Sequence, residues 1–368
     1  MTARDLVEES ERIGHSLLEV AERGRPGRVN RELVAAIAER GLFDRLFSTA
    51  TVTATDLCAI RQGLARMCTA AETAFAVQGL GAIPIHLNGT DELKGRVMPG
   101  IRDGSLVTGF ALTEPGAGSD AAALATIAER DGDGFRLTGE KAYISNAPDA
   151  DLYTLYARTT PDAGSRGVTA FAVVSEADGF SGEPIEMISP HPLGRLRLDG
   201  VFVPASSVLG EVDRGFRVAM ETLDLFRPSV GAFAVGMAEA ALRVATGHAT
   251  TRVAFGTPIA DFQGVSHQLA DVRTEIEAAE LLVYSAAAAY DGGDDETLTG
   301  KAAMAKLHAT ETAQRAVDTA IQVLGARGLE AGSTLAHLYA EVRAPRIYEG
   351  TSEIQRNIIA REMFNGRI

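Results

Sequence analysis

One carboxylate in the C-terminal part of the chain has the surroundings of a general base. Glu349 lies in the segment PRIYEGTSEIQR, after an isoleucine and a tyrosine and directly before Gly350. Ser352 and Gln355 then have the S-x-x-Q spacing of a capping box, which predicts that a helix begins there. Partly apolar surroundings would raise the pKa of this carboxyl above its reference of about 4.3. The segment alone fits both a general base and a solvated turn glutamate.

A glycine-rich loop far upstream could bind a flat or phosphorylated ligand. The segment GFALTEPGAGSD, residues 109–120, begins as an apolar run suited to a strand and then breaks at Pro115, Gly116 and Gly118. Such a loop offers backbone N–H groups without bulky side chains, so a ligand can approach closely. It has neither the G-K-[ST] of a P-loop nor the spacing of a Rossmann fingerprint. Taken alone, it is also typical of an ordinary turn.

These two segments together resemble the acyl-CoA dehydrogenase family of flavoproteins, of the medium- and short-chain type. Three more segments resemble family motifs in the same order: GFRLTGEKAYISNA (Gly134–Ala147), TRVAFGTPIADFQ (Thr251–Gln263) and QVLGARG (Gln322–Gly328). YEGTSEIQR resembles the segment that carries the family's catalytic glutamate. The similarity runs from about residue 75 to the C-terminus at near-family spacing. The chain is therefore identified as a member of this family.

The resemblance implies an oxidoreductase of the EC 1.3 class that uses FAD to convert an acyl-CoA into a trans-2-enoyl-CoA. Glu349 would remove the α-proton while the β-hydrogen leaves as hydride to the flavin N5. The backbone N–H of Glu349 and a ribityl hydroxyl of the cofactor would bind the thioester oxygen as negative charge develops there. The implied partners are an electron-transfer flavoprotein as electron acceptor and further copies of this chain, in a dimer or tetramer.

Binding roles follow from the same resemblance. The thioester substrate would contact Ser119, Asp224, Arg227, Tyr348 and Gly350. The flavin and its phosphates would contact Phe110, Leu112, Thr113, Gly118, Ser119, Tyr143, Ile144 and Ser145. The adenine half of the cofactor, at a subunit interface, would contact Arg252, Phe255, Gln263, Gln322, Gly325 and Ala326, with Thr351 and Glu353 also touching the nucleotide. Arginine suits pyrophosphate because its planar fork bonds the oxygens in pairs. For Arg227 the alternative is a generic surface or packing role.

Composition and charge bound the class of protein. The chain has 368 residues, of which 46% are hydrophobic and 23% charged, as in a soluble enzyme of two or three domains. The net charge of −14 argues against nucleic acid or an anionic membrane as partner. Cys58 and Cys68 are expected to be small core residues, and the histidines lack metal-ligand spacing, so no metal is predicted. A polar N-terminus and no run of eighteen apolar residues predict a soluble, cytoplasmic protein.

The order of helical and strand patterns predicts an α+β fold. Residues 1–105 have helical periodicity, residues 106–207 carry short runs suited to strands, and residues 208–368 return to a helical pattern. In the family's terms these are an N-terminal helical domain, a middle β-barrel-like domain and a C-terminal four-helix bundle. Pro84 and Pro99 punctuate the later part of the first domain.

Two departures from the family pattern leave the substrate open. The run Gly41–Leu57 is shorter than the usual loop and unrelated to it, and Ile188–Pro204 replaces the usual loop of the β-domain. These changes fit an unusual thioester, so an acyl group on an acyl-carrier protein in a biosynthetic pathway is the alternative to acyl-CoA. A flavin oxidase or monooxygenase on the same fold is a further alternative. Such enzymes often lack the glutamate found here at position 349, which favours dehydrogenation.

Overall fold

The computed structural model describes residues 2–48 and 52–368, so residues 49–51 of the run Gly41–Leu57 lie outside the described part of the chain. The chain divides into two compact units. The first comprises residues 1–16, 53–72 and 224–368, and the second comprises residues 17–52 and 73–223. Each unit is built from segments that are distant in sequence. Domain boundaries at residues 105 and 207 stay a prediction.

Helices occupy both ends of the chain and strands the middle, which confirms the predicted α+β class. The described residues contain eleven α-helices: α1 (Ala3–Glu22), α2 (Arg31–Glu39), α3 (Leu42–Leu46), α4 (Ala54–Ala65), α5 (Thr69–Asn88), α6 (Asp91–Arg102), α7 (Gly215–Thr251), α8 (Gln263–Asp291), α9 (Asp295–Leu324), α10 (Thr334–Glu341) and α11 (Ser352–Phe364). They also contain ten strands: β1 (Thr108–Ala111), β2 (Ile127–Asp131), β3 (Gly134–Ser145), β4 (Leu152–Arg158), β5 (Val168–Val174), β6 (Phe180–Pro184), β7 (Leu193–Pro204), β8 (Val208–Leu209), β9 (Val253–Ala254) and β10 (Thr257–Pro258).

Small residues let the helices of the first unit pack closely. Helices α8 and α9 pack along each other, and α11 packs on α9. Their buried faces are rich in alanine, and a Cβ added at Gly231 of α7 would lie only 2.7 Å from Val283 of α8. Helix α7 is long and apolar enough to cross a membrane, but 67% of its most apolar window is buried inside the protein. It is therefore a buried core helix.

The second unit is organised around an eight-stranded sheet. Its strands follow the order β6-β7-β3-β2-β4-β5-β8, and β1 pairs in parallel with β4. The two longest strands, β3 and β7, pair antiparallel with a register shift between Lys141 and Ile144 of β3. Such a bulge redirects side chains locally, and this one falls within a segment predicted to face the flavin.

The prolines and cysteines of the N-terminal helices have simple packing roles. Pro84 lies within α5 and Pro99 within α6, so neither ends its helix. A proline has no N–H, so each of these helices lacks the one backbone hydrogen bond that this position would donate. Cys58 and Cys68 are both buried, which confirms the prediction of small core residues.

Candidate active site

Glu349 lies in a tight turn with an unfavourable backbone conformation. Its φ is +53° and that of the following Gly350 is +92°, so two consecutive residues adopt left-handed geometry. A non-glycine residue held in this region costs on the order of 1–3 kcal/mol, and such residues cluster at functional sites. The turn ends where α11 begins at Ser352, as the sequence predicted.

Two side chains hold this turn through its carbonyl groups. The Nζ of Lys306 on α9 donates to the carbonyl of Gly350 at 2.7 Å. The side-chain amide of Gln355 donates to the carbonyls of Gly350 at 2.9 Å and Glu349 at 3.2 Å. A Cβ at position 350 would lie 2.6 Å from the Gln355 Nε2, so glycine is required by both φ and space.

The helix cap differs from the prediction by one residue. Thr351, not Ser352, is the N-cap: its hydroxyl accepts from the N–H of Ile354 at 3.3 Å. Ser352 is the first helical residue, and its hydroxyl donates to Glu311 of α9 at 2.7 Å. Serine and threonine are both good N-caps, so the turn geometry decides between neighbours. Thr351 thus caps the helix, and Ser352 ties it to α9.

Glu349 is half-buried, and one oxygen of its carboxyl is shielded from water. Its Oε2 is buried and has no hydrogen-bond partner among the described residues. Burial raises the pKa of Glu349, while Arg61, Lys306 and Arg227 lower it in that order and Glu72 raises it further. Because burial outweighs the cations, the pKa of Glu349 lies above its ordinary value, which confirms the direction predicted from sequence.

Arg227 and Asp224 lie on α7 one turn apart. The Arg227 guanidinium donates to Asp224 at 2.7 Å, and its Nε is buried without a partner in the described chain. Arg227 is 7% exposed and contributes to the fields at both Glu349 and Lys306. Burial lowers the pKa of Lys306 to about 8. The first unit therefore gathers the proposed base with three cationic side chains.

In the second unit, a buried ion pair anchors the glycine-rich loop. Lys141 is fully buried; its Nζ donates to Glu114 at 2.7 Å and to the carbonyl of Leu112 at 3.2 Å. The Glu114 carboxylate also accepts from the backbone N–H groups of Ala125 at 2.5 Å and Thr126 at 3.0 Å. The loop after β1 is thus fixed to β3.

The predicted flavin-contacting residues divide between exposed and core positions. Tyr143 is 55% exposed with a φ of +57°, next to the bulge in β3. Ile144 is 1% exposed, so its side chain belongs to the core. Phe110 packs on Tyr156 at 5.1 Å between ring centroids, and Leu112 is also buried. The remaining members are half-buried or exposed: Thr113, Gly118, Ser119 and Ser145.

The residues predicted to hold the adenine half lie on another part of the first unit. Phe255 is 98% exposed with a φ of +53°, in the turn of the β9–β10 hairpin. Arg252 precedes this hairpin, and the remaining predicted residues are exposed as well: Gln263, Gln322, Gly325 and Ala326. Burial, Arg327 and Arg252 together lower the pKa of His248, which places both arginines in the field of this histidine. Arg327 was not predicted.

The structure adds charged residues that the sequence motifs did not reveal. Around the Glu349 turn these are Arg61, Glu72, Lys306 and Glu311. At the glycine-rich loop they are Glu114 of the loop itself and Lys141 of β3. One usable signal was present: a charged residue within an apolar helical stretch, as Arg61 is in DLCAIRQGLA. The substrate-contact candidates Tyr348, Gly350, Asp224 and Arg227 belong to the first unit, whereas Ser119 belongs to the second.

Two curated relatives cover most of this chain. Cyclohexane-1-carbonyl-CoA dehydrogenase of Geobacter metallireducens is 34% identical over 349 residues, which are 92% of this chain and 90% of that protein. The CarC subunit of the caffeyl-CoA reductase–Etf complex of Acetobacterium woodii is 38% identical over 284 residues, which are 75% and 73% of the two chains.

Solved structures match along almost the whole length. Butyryl-CoA dehydrogenase from Megasphaera elsdenii is 30% identical with a TM-score of 0.91, covering 99% of each chain. PigA with FAD and proline is 27% identical with a TM-score of 0.93, covering 98% of this chain and 97% of PigA. Models of the acyl-CoA dehydrogenase N-terminal, middle and C-terminal domains match residues 2–105, 109–201 and 213–364. The chain belongs to the acyl-CoA dehydrogenase family.

Proposed function

We propose that this protein catalyses the FAD-dependent α,β-dehydrogenation of an acyl-CoA thioester, with Glu349 as the general base. The observation that carries the proposal is the Glu349 carboxyl. Its Oε2 is buried and unpartnered among the described residues, and it sits on a left-handed turn beside buried cations. A buried acceptor without a donor is costly, so its persistence indicates a ligand-dependent role.

The residues of the chain fit FAD in two ways. A Cβ added at Gly116 or Gly118 would meet no atom within 4 Å in the described part of the chain, which leaves the loop backbone open to a ligand. Tyr143 and Phe255 are exposed aromatic residues at left-handed φ, which is typical of ligand-contacting positions. The FAD-containing PigA structure supports the same cofactor. When bound, FAD supplies the acceptor for the β-hydrogen as hydride.

The protein's own contribution is to position and hold a proton acceptor. The raised pKa of Glu349 makes it a stronger base than a solvated glutamate, and efficient proton transfer favours a pKa closer to the working pH. Arg61, Lys306 and Arg227 limit that rise, because nearby positive charge favours the ionised carboxyl. The backbone N–H of Glu349 is the proposed donor to the thioester oxygen.

The partners and the assembly follow from the comparisons and from exposed residues. The Etf complex named for CarC supports an electron-transfer flavoprotein as electron acceptor here. The 98% exposure of Phe255 supports burial against a second copy of the chain, hence a homodimer or tetramer. We place the protein in the cytoplasm.

The decisive experiment is anaerobic reduction of the flavin-loaded protein by acyl-CoA thioesters. Glu349→Gln should retain the yellow flavin spectrum while the rate of bleaching falls roughly 10²–10⁴-fold, the usual contribution of a general base. The exposed Glu296→Gln makes the same charge change away from the site and should bleach normally. Near-normal reduction of the Glu349→Gln protein would remove the assignment.

The same assay separates the alternative activities. Matched CoA and carrier-protein thioesters should be compared at equal concentration, and equal or better use of the CoA ester would exclude the carrier-protein alternative. Oxygen consumption during turnover distinguishes an oxidase from a dehydrogenase. We expect reduction by the CoA ester, with little oxygen consumed.

A further inference from the structure

A second buried charge pair belongs to the group of charges that affect the proposed base, and the family motifs do not include it. Arg61 of α4 is 3% exposed and Glu72 of α5 is fully buried. The Arg61 Nε donates to Glu72 at 2.5 Å, and its Nη1 donates to the hydroxyl of Ser229 on α7 at 2.7 Å. The guanidinium also lies 5.8 Å from the centre of the Phe233 ring. Arg61 is therefore fixed from several sides.

Stability does not account for this pair. Removing two charges from water costs several kcal/mol per ion, and replacing a buried ion pair by apolar residues of similar volume is often neutral or stabilising. The neighbours of Arg61 on α4 include Leu57, Cys58 and Leu64, all fully buried, so an apolar residue would suit the position. A buried guanidinium at this place calls for a function.

The charges that act on Glu349 come from four helices. They are Arg61 of α4, Glu72 of α5, Arg227 of α7 and Lys306 of α9. Arg227 is bonded to Asp224, and Lys306 is bonded to the carbonyl of Gly350. Arg61 has the largest effect of the three cations in lowering the pKa of Glu349, and Glu72 opposes it. Arg61 also acts on Tyr348, the residue before the base.

We propose that Arg61 is a positioning residue for the base. Glu72 and Ser229 fix its guanidinium so that a permanent positive charge acts on the Glu349 carboxylate. The negative charge of Glu72 offsets part of that effect. The inference rests on the proposed function, because it takes Glu349 as the proton acceptor. It goes beyond the family's motifs, since neither Arg61 nor Glu72 belongs to them. Its consequence is that the two members of one ion pair shift the pKa of Glu349 in opposite directions.

The experiment uses this difference in sign. Arg61→Met removes the cation and should raise the pH midpoint of Glu349 by about one pH unit, which slows flavin reduction roughly tenfold on the acid side of the profile. Glu72→Gln leaves the cation unopposed and should lower the midpoint. The double variant should fall between the two single variants. If the pair were merely structural, each mutation would slow the reaction at every pH. The pH midpoint of Glu349 would then shift in the same direction in both variants or in neither.

Two readouts are needed. The first is an infrared pH titration of the flavin-loaded protein, in which the protonated carboxyl band of Glu349 is identified by its loss in Glu349→Gln. The second is the pH profile of flavin reduction by an acyl-CoA. If no thioester reduces the wild-type flavin, the proposed function fails, while the infrared midpoints still report on Arg61. Midpoints that stay unchanged in Arg61→Met would overturn the inference.

Matched variants control for folding. Arg66→Met removes another arginine directly after α4, whose partners are Glu239 at 2.6 Å and Glu11 at 3.2 Å, and it should leave the midpoint unchanged. Ser229→Ala removes one hydrogen bond to Arg61 without a change in charge, and we expect a smaller rise than in Arg61→Met. Arg61→Lys restores a cation and should recover part of the wild-type midpoint. A shift in Arg66→Met as large as in Arg61→Met would also overturn the inference.

Discussion

Two carboxyl groups, one in each unit and each beside a buried lysine, have pKa values shifted in opposite directions. Glu114 accepts hydrogen bonds from Lys141 and from the backbone N–H groups of Ala125 and Thr126. Glu349 has an Oε2 without a partner in the described chain, and the nearby Lys306 donates to the carbonyl of Gly350. The same two residue types form a satisfied ion pair in one place and leave a carboxylate oxygen unsatisfied in the other.

The pKa values follow this difference. Burial alone would raise the pKa of Glu114, but Lys141 and the backbone N–H of Ala125 together hold it below the ordinary value. Burial raises the pKa of Glu349, and the surrounding cations do not cancel that rise. Hydrogen bonds donated to a carboxylate stabilise its ionised form, whereas a buried carboxylate oxygen without a donor favours the protonated form. The contrast teaches that hydrogen-bond satisfaction, more than burial, separates the two roles.

The largest loss of stability should come from breaking the Glu114–Lys141 ion pair. Glu114→Ala leaves the Lys141 ammonium buried without its carboxylate, and removing one partner of a buried pair costs about 3–5 kcal/mol. Thermal unfolding followed by flavin fluorescence should show a clearly lower Tm.

The control for this variant removes both charges. Glu114→Leu combined with Lys141→Met leaves no uncompensated charge and should recover most of the lost stability. If the double variant is as unstable as Glu114→Ala, the hydrogen bonds from Ala125 and Thr126 to Glu114 are the important contacts, and the comparison with Glu349 loses its basis.

A smaller loss of stability should distinguish Gly350 of the Glu349 turn from Gly118 of the glycine-rich loop. Gly350→Ala forces a side chain onto a φ of +92° and to within 2.6 Å of the Gln355 Nε2, so we expect a loss of roughly 1–3 kcal/mol and slower flavin reduction. Gly118→Ala meets no described atom within 4 Å and should leave the Tm of the flavin-free protein unchanged. Weaker FAD binding in Gly118→Ala, measured by flavin titration, would support close approach of the cofactor. A lower flavin-free Tm in Gly118→Ala, or none in Gly350→Ala, would contradict the packing argument.

The sequence predicted the local features of both regions but not their charge pairs. The turn at Glu349, the start of α11 and the strand patterns of β3 to β5 are local signals of spacing and composition. The pairs Arg61–Glu72 and Glu114–Lys141 join residues on different elements, so no periodicity reports them. Strand alternation did contain one unused signal: Tyr143 and Ser145 share a face of β3, which places the side chain of Ile144 on the opposite, buried face.

The smallest effect is a gain in stability when the base is removed. Because the folded-state pKa of Glu349 is raised, its stabilising contribution is complete below the unfolded pKa of about 4.3 and is lost as the pH rises through the folded value. Glu349→Gln has no such loss, so it should match the wild type near pH 4 and exceed it in Tm at pH 8. Each pH unit between the folded and unfolded pKa values is worth about 1.4 kcal/mol of stability. Glu114, whose folded pKa is lowered, stabilises above its unfolded pKa and loses this contribution as the pH falls, so its removal should cost more at pH 8 than near pH 4. Differences in Tm from the wild type that change with pH in opposite directions for the two variants would confirm the comparison. A Glu349→Gln protein with a lower Tm than the wild type at pH 8 would show that Glu349 is a structural carboxylate.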